Sequence, residues 1–143
     1  MNGFEADRLR VSGLNHVTLA VNDISRSVRF YRDVLGCRLR TEWDQGAYLE
    51  AGSLWLCLSF DVLASADPHP DYTHIAFDVS ADAFEGLSDR VRLQAIIWKE
   101  NRSEGRSLYV LDPDGHKLDL HVGTLESRLA HYRANPLKGR HIF

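Results

Sequence analysis

A chain of 143 residues that is 44% hydrophobic carries enough apolar material for the core of one ordinary domain, or of two half-size modules sharing a core. Its net charge of −3 gives no global attraction to nucleic acid or to an anionic membrane, so any cationic function has to be local. Cys37 and Cys57 lie outside any C-x-x-C spacing, which excludes a disulfide framework or a cysteine zinc motif, and no apolar run approaches the roughly 20 residues that cross a bilayer. A reducing cytoplasm is the expected compartment, with neither nucleic acid nor membrane as partner.

Residues 1–12 are polar and aperiodic, with Glu5, Asp7, Arg8 and Arg10 interrupting any signal-like segment, and are expected to form a loose arm. From Leu14 to Val21 the sequence alternates, with Val17, Leu19 and Val21 on one face and His16, Thr18 and Ala20 on the other, which predicts a strand. Asp23 caps a predicted amphipathic helix reaching about Leu35, with Ile24, Val28, Tyr31 and Leu35 at helical spacing and Gly36 as its stop. Three β-type runs follow: Arg38 to Trp43, Ala47 to Glu50 and Leu54 to Ser59. Residues 61–71, with Pro68 and Pro70, read as a linker between a first module, 13–60, and a second, 72–123.

The pattern then begins again. Tyr72 to Val79 alternates, Ser80 caps a helix carrying Phe84, Leu87 and Val91, and Ala95 to Trp98, Ser107 to Leu111 and Lys117 to Val122 supply three more strands. The phrase His16-Val17-Thr18-Leu19-Ala20-Val21 matches His74-Ile75-Ala76-Phe77-Asp78-Val79, so the chain is a β-α-β-β-β unit written twice. A helix capped by Thr124 and a polar tail fill 124–143.

A single histidine on a half-buried strand is ordinarily a hydrogen-bonded core or edge residue. The repeat is what singles out His16 and His74, because equivalent positions of two modules can converge if their sheets curl toward each other. On the last strand Asp119 and His121 alternate away from Leu118 and Leu120, and the carboxylate would complete a His, His, carboxylate shell with positions left for substrate. His116 and His121 read as non-ligands, His121 being placed to support the shell from behind.

The repeated module with this ligand pattern resembles the vicinal oxygen chelate superfamily. Leu14 to Val21, Trp43 to Leu49, Leu54 to Ser59, Asp71 to His74, Trp98-Lys99, Asn101 to Gly105 and Leu111 to Leu118 are similar to its glutathione-dependent fosfomycin resistance enzymes. The resemblance implies an α+β fold, with two βαβββ modules forming a cup-shaped mixed sheet around a metal site, and an enzyme that adds glutathione to the epoxide of fosfomycin. His16, His74 and Asp119 match the Mn²⁺ ligands. Thr18, Lys99, Ser103, Ser107, Tyr109 and Arg128 match the phosphonate-holding set, Asn101, Ser103, Gly105 and Ser107 match a K⁺ loop, and Trp43, Gln45, Tyr48, Ser59 and Arg102 fall where the family lines its thiol channel. It also implies a homodimer with shared sites, His16 coming from one copy and His74 and Asp119 from the other. One departure is the third ligand, glutamate in that branch and the shorter Asp119 here. Another is Glu104 to Ser107 with Thr124 to Leu129, which looks like the related branch that adds water to fosfomycin; a degenerate phosphonate-binding homologue is the third reading.

Overall fold

The computed structural model describes residues 8–143. The expected arm therefore lies partly outside the described residues, and residues 8–14 are exposed. Alternation from His16 onward produces β1 (His16–Val21), which buries Leu19 and Val21 and runs parallel to β4 (Leu54–Phe60). Antiparallel β3 (Gly46–Ala51) and β2 (Arg38–Trp43) extend the sheet in the order β1-β4-β3-β2. Between β1 and β2, α1 (Ile24–Arg29) starts where the Asp23 carboxylate accepts from the Arg26 backbone N–H at 3.0 Å. It continues into a π-helical turn over Phe30–Val34 that buries Phe30, Tyr31 and Val34.

The second half repeats the design. β5 (Ile75–Asp78), β8 (Lys117–Val122), β7 (Arg106–Leu111) and β6 (Ile97–Lys99) form a separate four-stranded sheet in the order β5-β8-β7-β6. α2 (Ala81–Arg92) is capped by Ser80 and buries Val91, while α3 (Leu125–Ala134) begins in a Thr124–Ser127 capping box and buries none of its residues. β5 starts three residues later than the alternation from Tyr72 predicts. The Asp71 carboxylate accepts from the Thr73 backbone N–H at 2.9 Å, and this local turn competes with the strand, so His74 sits just ahead of β5.

Apolar side chains of both halves feed one core: Leu19, Val28, Tyr31, Leu49 and Leu56 from the first, Val91, Leu108, Val110, Leu118 and Leu120 from the second. Polar groups lock the seam. Asp114 accepts from the Asn22 backbone N–H (2.9 Å), Arg26 Nη2 (3.1 Å) and Ser27 Oγ (3.2 Å), and Asp112 accepts from the Tyr31 hydroxyl at 2.7 Å. His116 Nε2 donates to the Ala20 carbonyl at 2.7 Å. Both cysteines are free and buried. Among the described residues, no helix is long and apolar enough to cross a membrane.

Tyr31→Phe keeps the packing and removes the partner of Asp112 Oδ2. Leaving that buried oxygen unpaired costs about 1–3 kcal/mol, and urea unfolding should show the loss as a lower midpoint at unchanged slope.

Candidate active site

Strand register decides which side chains share a surface. In the second sheet Ser107 lies opposite His121, Tyr109 opposite Asp119 and Lys99 opposite Tyr109. Opposed residues project from the same face, so these polar groups stand together while Leu108, Val110, Leu118 and Leu120 point into the core. The His74 ring joins them, 4.9 Å from Tyr72, 5.8 Å from Trp98 and 6.2 Å from Tyr109 between centroids. Its Nδ1 is 2.8 Å from the Tyr72 carbonyl oxygen. A carbonyl only accepts, so Nδ1 carries the proton and Nε2 keeps a free lone pair.

Asp119 is 5% exposed and its Oδ1 is buried with no hydrogen-bond partner. Burial pushes its carboxyl above the usual range, against a hydrogen bond from Ser107 and the fields of His121, His74 and Lys99. A buried carboxylate oxygen without a donor, within electrostatic reach of a histidine presenting Nε2, fits a divalent cation, which would supply the missing partner.

Lys99 Nζ donates to the Tyr72 hydroxyl and lies 4.7 Å from the Tyr72 ring centroid and 4.8 Å from that of Tyr109. The hydrogen bond to Tyr72 raises the pKa of its ammonium. The loop beyond is folded on itself: Asn101 Oδ1 accepts from Ser103 N at 3.1 Å and Ser103 Oγ at 3.0 Å, and Asn101 Nδ2 donates to the Gly105 carbonyl at 2.8 Å. Gly105 has φ +84°, a left-handed turn that favours glycine. Arg128, from α3, reaches back to this loop through Nε to the Glu104 carboxylate (3.0 Å) and Nη2 to the Glu104 carbonyl (3.1 Å). Hydrogen bonds with Tyr132 and Glu104 raise its pKa. Arg102 is exposed on the loop.

His16 and Thr18 stand on the other sheet. The His16 ring is 4.5 Å from Trp55, which is 5.2 Å from Tyr48, itself 5.0 Å from Trp43. With Thr18, Cys57 and Ser59 they line a cavity of about 210 Å³, and Trp43 and Gln45 also line a groove of about 560 Å³ with Asp23, Glu42 and Phe60. The convergence of both histidines within one chain is not found: among the described residues, no three His, Cys, Asp or Glu side chains come together to hold a metal ion. One core takes the apolar faces of both sheets; the polar face of the first lines the 210 Å³ cavity, and Lys99, Asn101 and Ser107 of the second border a separate cavity of about 260 Å³ with Arg92, Ile97 and Leu108.

Three contributors were not among the residues expected from sequence. Trp55 stacks on His16, Tyr72 holds Lys99, and Glu104 pairs with Arg128. Trp55 had a signal, since alternation through Leu54–Phe60 puts it on the face of Cys57 and away from Leu56. Nothing local marks the other two, which act across about 25 positions of sequence.

Residues 13–120 match the model of the Glyoxalase/Bleomycin resistance protein/Dioxygenase superfamily. The chain is 51% identical over 132 residues to Glutathione transferase FosA of Serratia marcescens, covering 90% of this chain and 94% of that one. It is 37% identical over 128 residues to Metallothiol transferase FosB of Staphylococcus haemolyticus, covering 86% and 92%. Among solved structures, a mutant of the fosfomycin resistance protein FosX from Listeria monocytogenes, complexed with Mn(II) and 1S,2S-dihydroxypropylphosphonic acid, superposes with a TM-score of 0.75 at 29% identity, covering 86% and 99%.

Tyr72→Phe removes the acceptor that holds Lys99. The Lys99 pKa should then fall toward the ordinary lysine value, read from the NMR titration of its ε-methylene; an unchanged value would show that the ring, not the hydroxyl, sets it.

Proposed function

The chain belongs to the glyoxalase/bleomycin resistance protein/dioxygenase superfamily and, within it, to the fosfomycin resistance family, and on that premise we propose that it adds glutathione to the epoxide of fosfomycin, conferring resistance, in a reaction that needs a divalent metal. The observation that carries the reading is one polar face where Lys99, Ser107 and Tyr109 surround a buried Asp119 oxygen lacking a donor. Such a face suits a small anion bound beside a cation.

Phosphonate recognition falls to Lys99, Ser103, Ser107, Tyr109 and Arg128, with Thr18 from the other polar face. Charge-assisted hydrogen bonds to a dianion are the strong kind, and fixed hydroxyls add direction. The Tyr72 and Tyr109 rings flank Lys99 and keep its ammonium aimed. Held by His16, His74 and Asp119, the metal, Mn²⁺ in this reading, would supply Lewis-acid stabilisation to the charge that develops on the epoxide oxygen. Asn101, Ser103, Gly105 and Ser107 would hold K⁺ nearby, adding positive field. Trp43, Gln45, Tyr48, Ser59 and Arg102 form the thiol approach, where the aromatic wall of Trp43, Tyr48 and Trp55 screens the incoming sulfur from water. The chemistry asks for charge stabilisation and not for a nucleophile on the protein, so glutathione attacks the ring carbon directly.

Sharing of the site is part of this reading. Asp119 lies on the second sheet with His74 just ahead of β5, and His16 lies on the first, so a homodimer would complete each site if a second copy brought His16 to the His74–Asp119 face. The cytoplasm, where glutathione keeps thiols reduced, is the compartment this reading assigns.

Likeness to FosX favours a second reading, in which water replaces the thiol at the same site. Mass spectrometry of fosfomycin incubated with the Mn²⁺-loaded protein, with and without glutathione, separates the two: a glutathione adduct is expected, and a diol formed equally well without thiol would replace transfer with hydrolysis. Lys99→Ala and Arg128→Ala should each weaken phosphonate binding in calorimetry at unchanged metal content. Loss of metal in either variant would contradict their assignment to the anion.

A further inference from the structure

We propose that Glu104 is a positioning residue for Arg128, gripping one edge of the guanidinium so that the other edge is presented to the phosphonate; the inference rests on the reading above, in which Arg128 binds that anion. Arg128 Nε donates to the Glu104 carboxylate at 3.0 Å, and Nη2 donates to the Glu104 carbonyl oxygen at 3.1 Å. These two donors form the side edge of the planar group, so a single residue engages that edge with both its side chain and its backbone. A guanidinium carries five N–H donors in a fixed fork. Glu104 takes two of them, and even with a third given to Tyr132, two remain for an oxyanion. The end that bears Nη1 is the edge Glu104 leaves open.

Arg128 needs such a hold. It stands on α3, which buries none of its residues, and a long side chain on such a helix is otherwise spread over many rotamers. Glu104, in contrast, sits in a fixed loop. Asn101 closes that loop on either side of it, through Oδ1 to Ser103 N and Nδ2 to the Gly105 carbonyl. A Cβ added at Gly105 would lie 2.9 Å from the Val122 carbonyl oxygen, so the backbone next to Glu104 is pressed against the end of β8. The Arg128 and Glu104 side chains are 28% and 22% exposed, against 44% and 55% for Arg32 and Asp33, which sets the pair apart from a solvated surface ion pair. Ser103, the neighbour of Glu104, belongs to the same phosphonate set, so the contact brings α3 and the loop to bear on one anion. A carboxylate that merely competed with the phosphonate for Arg128 would give the opposite sign on removal.

Calorimetry of fosfomycin binding to the Mn²⁺-loaded protein, without glutathione, tests this. Glu104→Gln keeps an acceptor at the same reach and should bind close to wild type. Glu104→Asp keeps the charge but is one methylene short, and both it and Glu104→Ala should bind on the order of tenfold more weakly. In an Arg128→Ala background, Glu104→Ala should cost nothing further, because the two changes break one interaction. Tighter binding by Glu104→Ala would make the carboxylate a competitor and overturn the proposal. Wild-type affinity in Glu104→Asp, binding by Glu104→Gln as weak as by Glu104→Ala, or an equal loss with and without Arg128 would also overturn it, leaving the anion site standing. Wild-type affinity in Arg128→Ala would remove Arg128 from the phosphonate set and this inference with it, and wild-type protein that binds no fosfomycin would overturn the whole reading. Should Glu104→Ala fail to fold, the glutamine and aspartate pair decides alone.

Discussion

Two carboxylates buried side by side govern this structure. Asp112 and Asp114 are 4% and 1% exposed, and burying such groups is costly unless every oxygen finds a donor. The first half of the chain provides most donors: Tyr31 reaches Asp112, while Asn22, Arg26 and Ser27 reach Asp114. The rest come from the turn, where the Asp114 and His116 backbone N–H groups donate to Asp112 Oδ1 at 2.8 and 3.0 Å. Burial raises the Asp112 pKa in spite of these bonds. Gly115 is obligatory at the apex, where φ is +74° and a Cβ would meet the Asp67 carbonyl oxygen at 1.9 Å. This turn leads directly into β8, so the clamp that joins the two halves also fixes the strand that delivers Asp119 and His121.

Separation of the two polar faces follows from the shared core. Leucines and valines of both sheets interdigitate on one side, and the residues that alternate with them face outward on two distinct surfaces. One surface offers His74 and Asp119 with Lys99, Ser107 and Tyr109; the other offers His16 and Thr18 behind a row of aromatic rings. Among the described residues neither holds three metal ligands. In the proposed reading each is half of a site, and two copies related by a two-fold axis would make two whole sites from four halves.

Much of this was legible in the sequence. The matching phrases at His16 and His74 announced two equivalent strands, and alternation in Leu118–His121 put Asp119 on their polar side. Asp23, Ser80 and Thr124 cap α1, α2 and α3 as their side chains predict. The early start expected at Tyr72 failed because a side-chain turn at Asp71 is stronger than alternation there. The acidic clamp was invisible for another reason. Asp112-Pro113-Asp114-Gly115 reads as a hydrated turn, and only contacts from about 80 to 90 residues away bury it. The same distance hid Tyr72 beneath Lys99 and Glu104 beside Arg128. Periodicity reports the face of one strand and says nothing of which other segment will lie on it, so the residues that hold the site residues in place emerged only from the fold.

The central claim, that each active site is assembled from two copies, is tested most directly by mixing two inactive variants. His16→Ala removes a ligand from one half-site and Asp119→Ala from the other, so neither homodimer has an intact site. After co-refolding, about half of the dimers are hybrids with one intact site of their two, and roughly a quarter of wild-type glutathione transfer to fosfomycin should return. Persistent inactivity of the mixture, in hybrids verified by native mass spectrometry, would mean that each copy draws its ligands from itself.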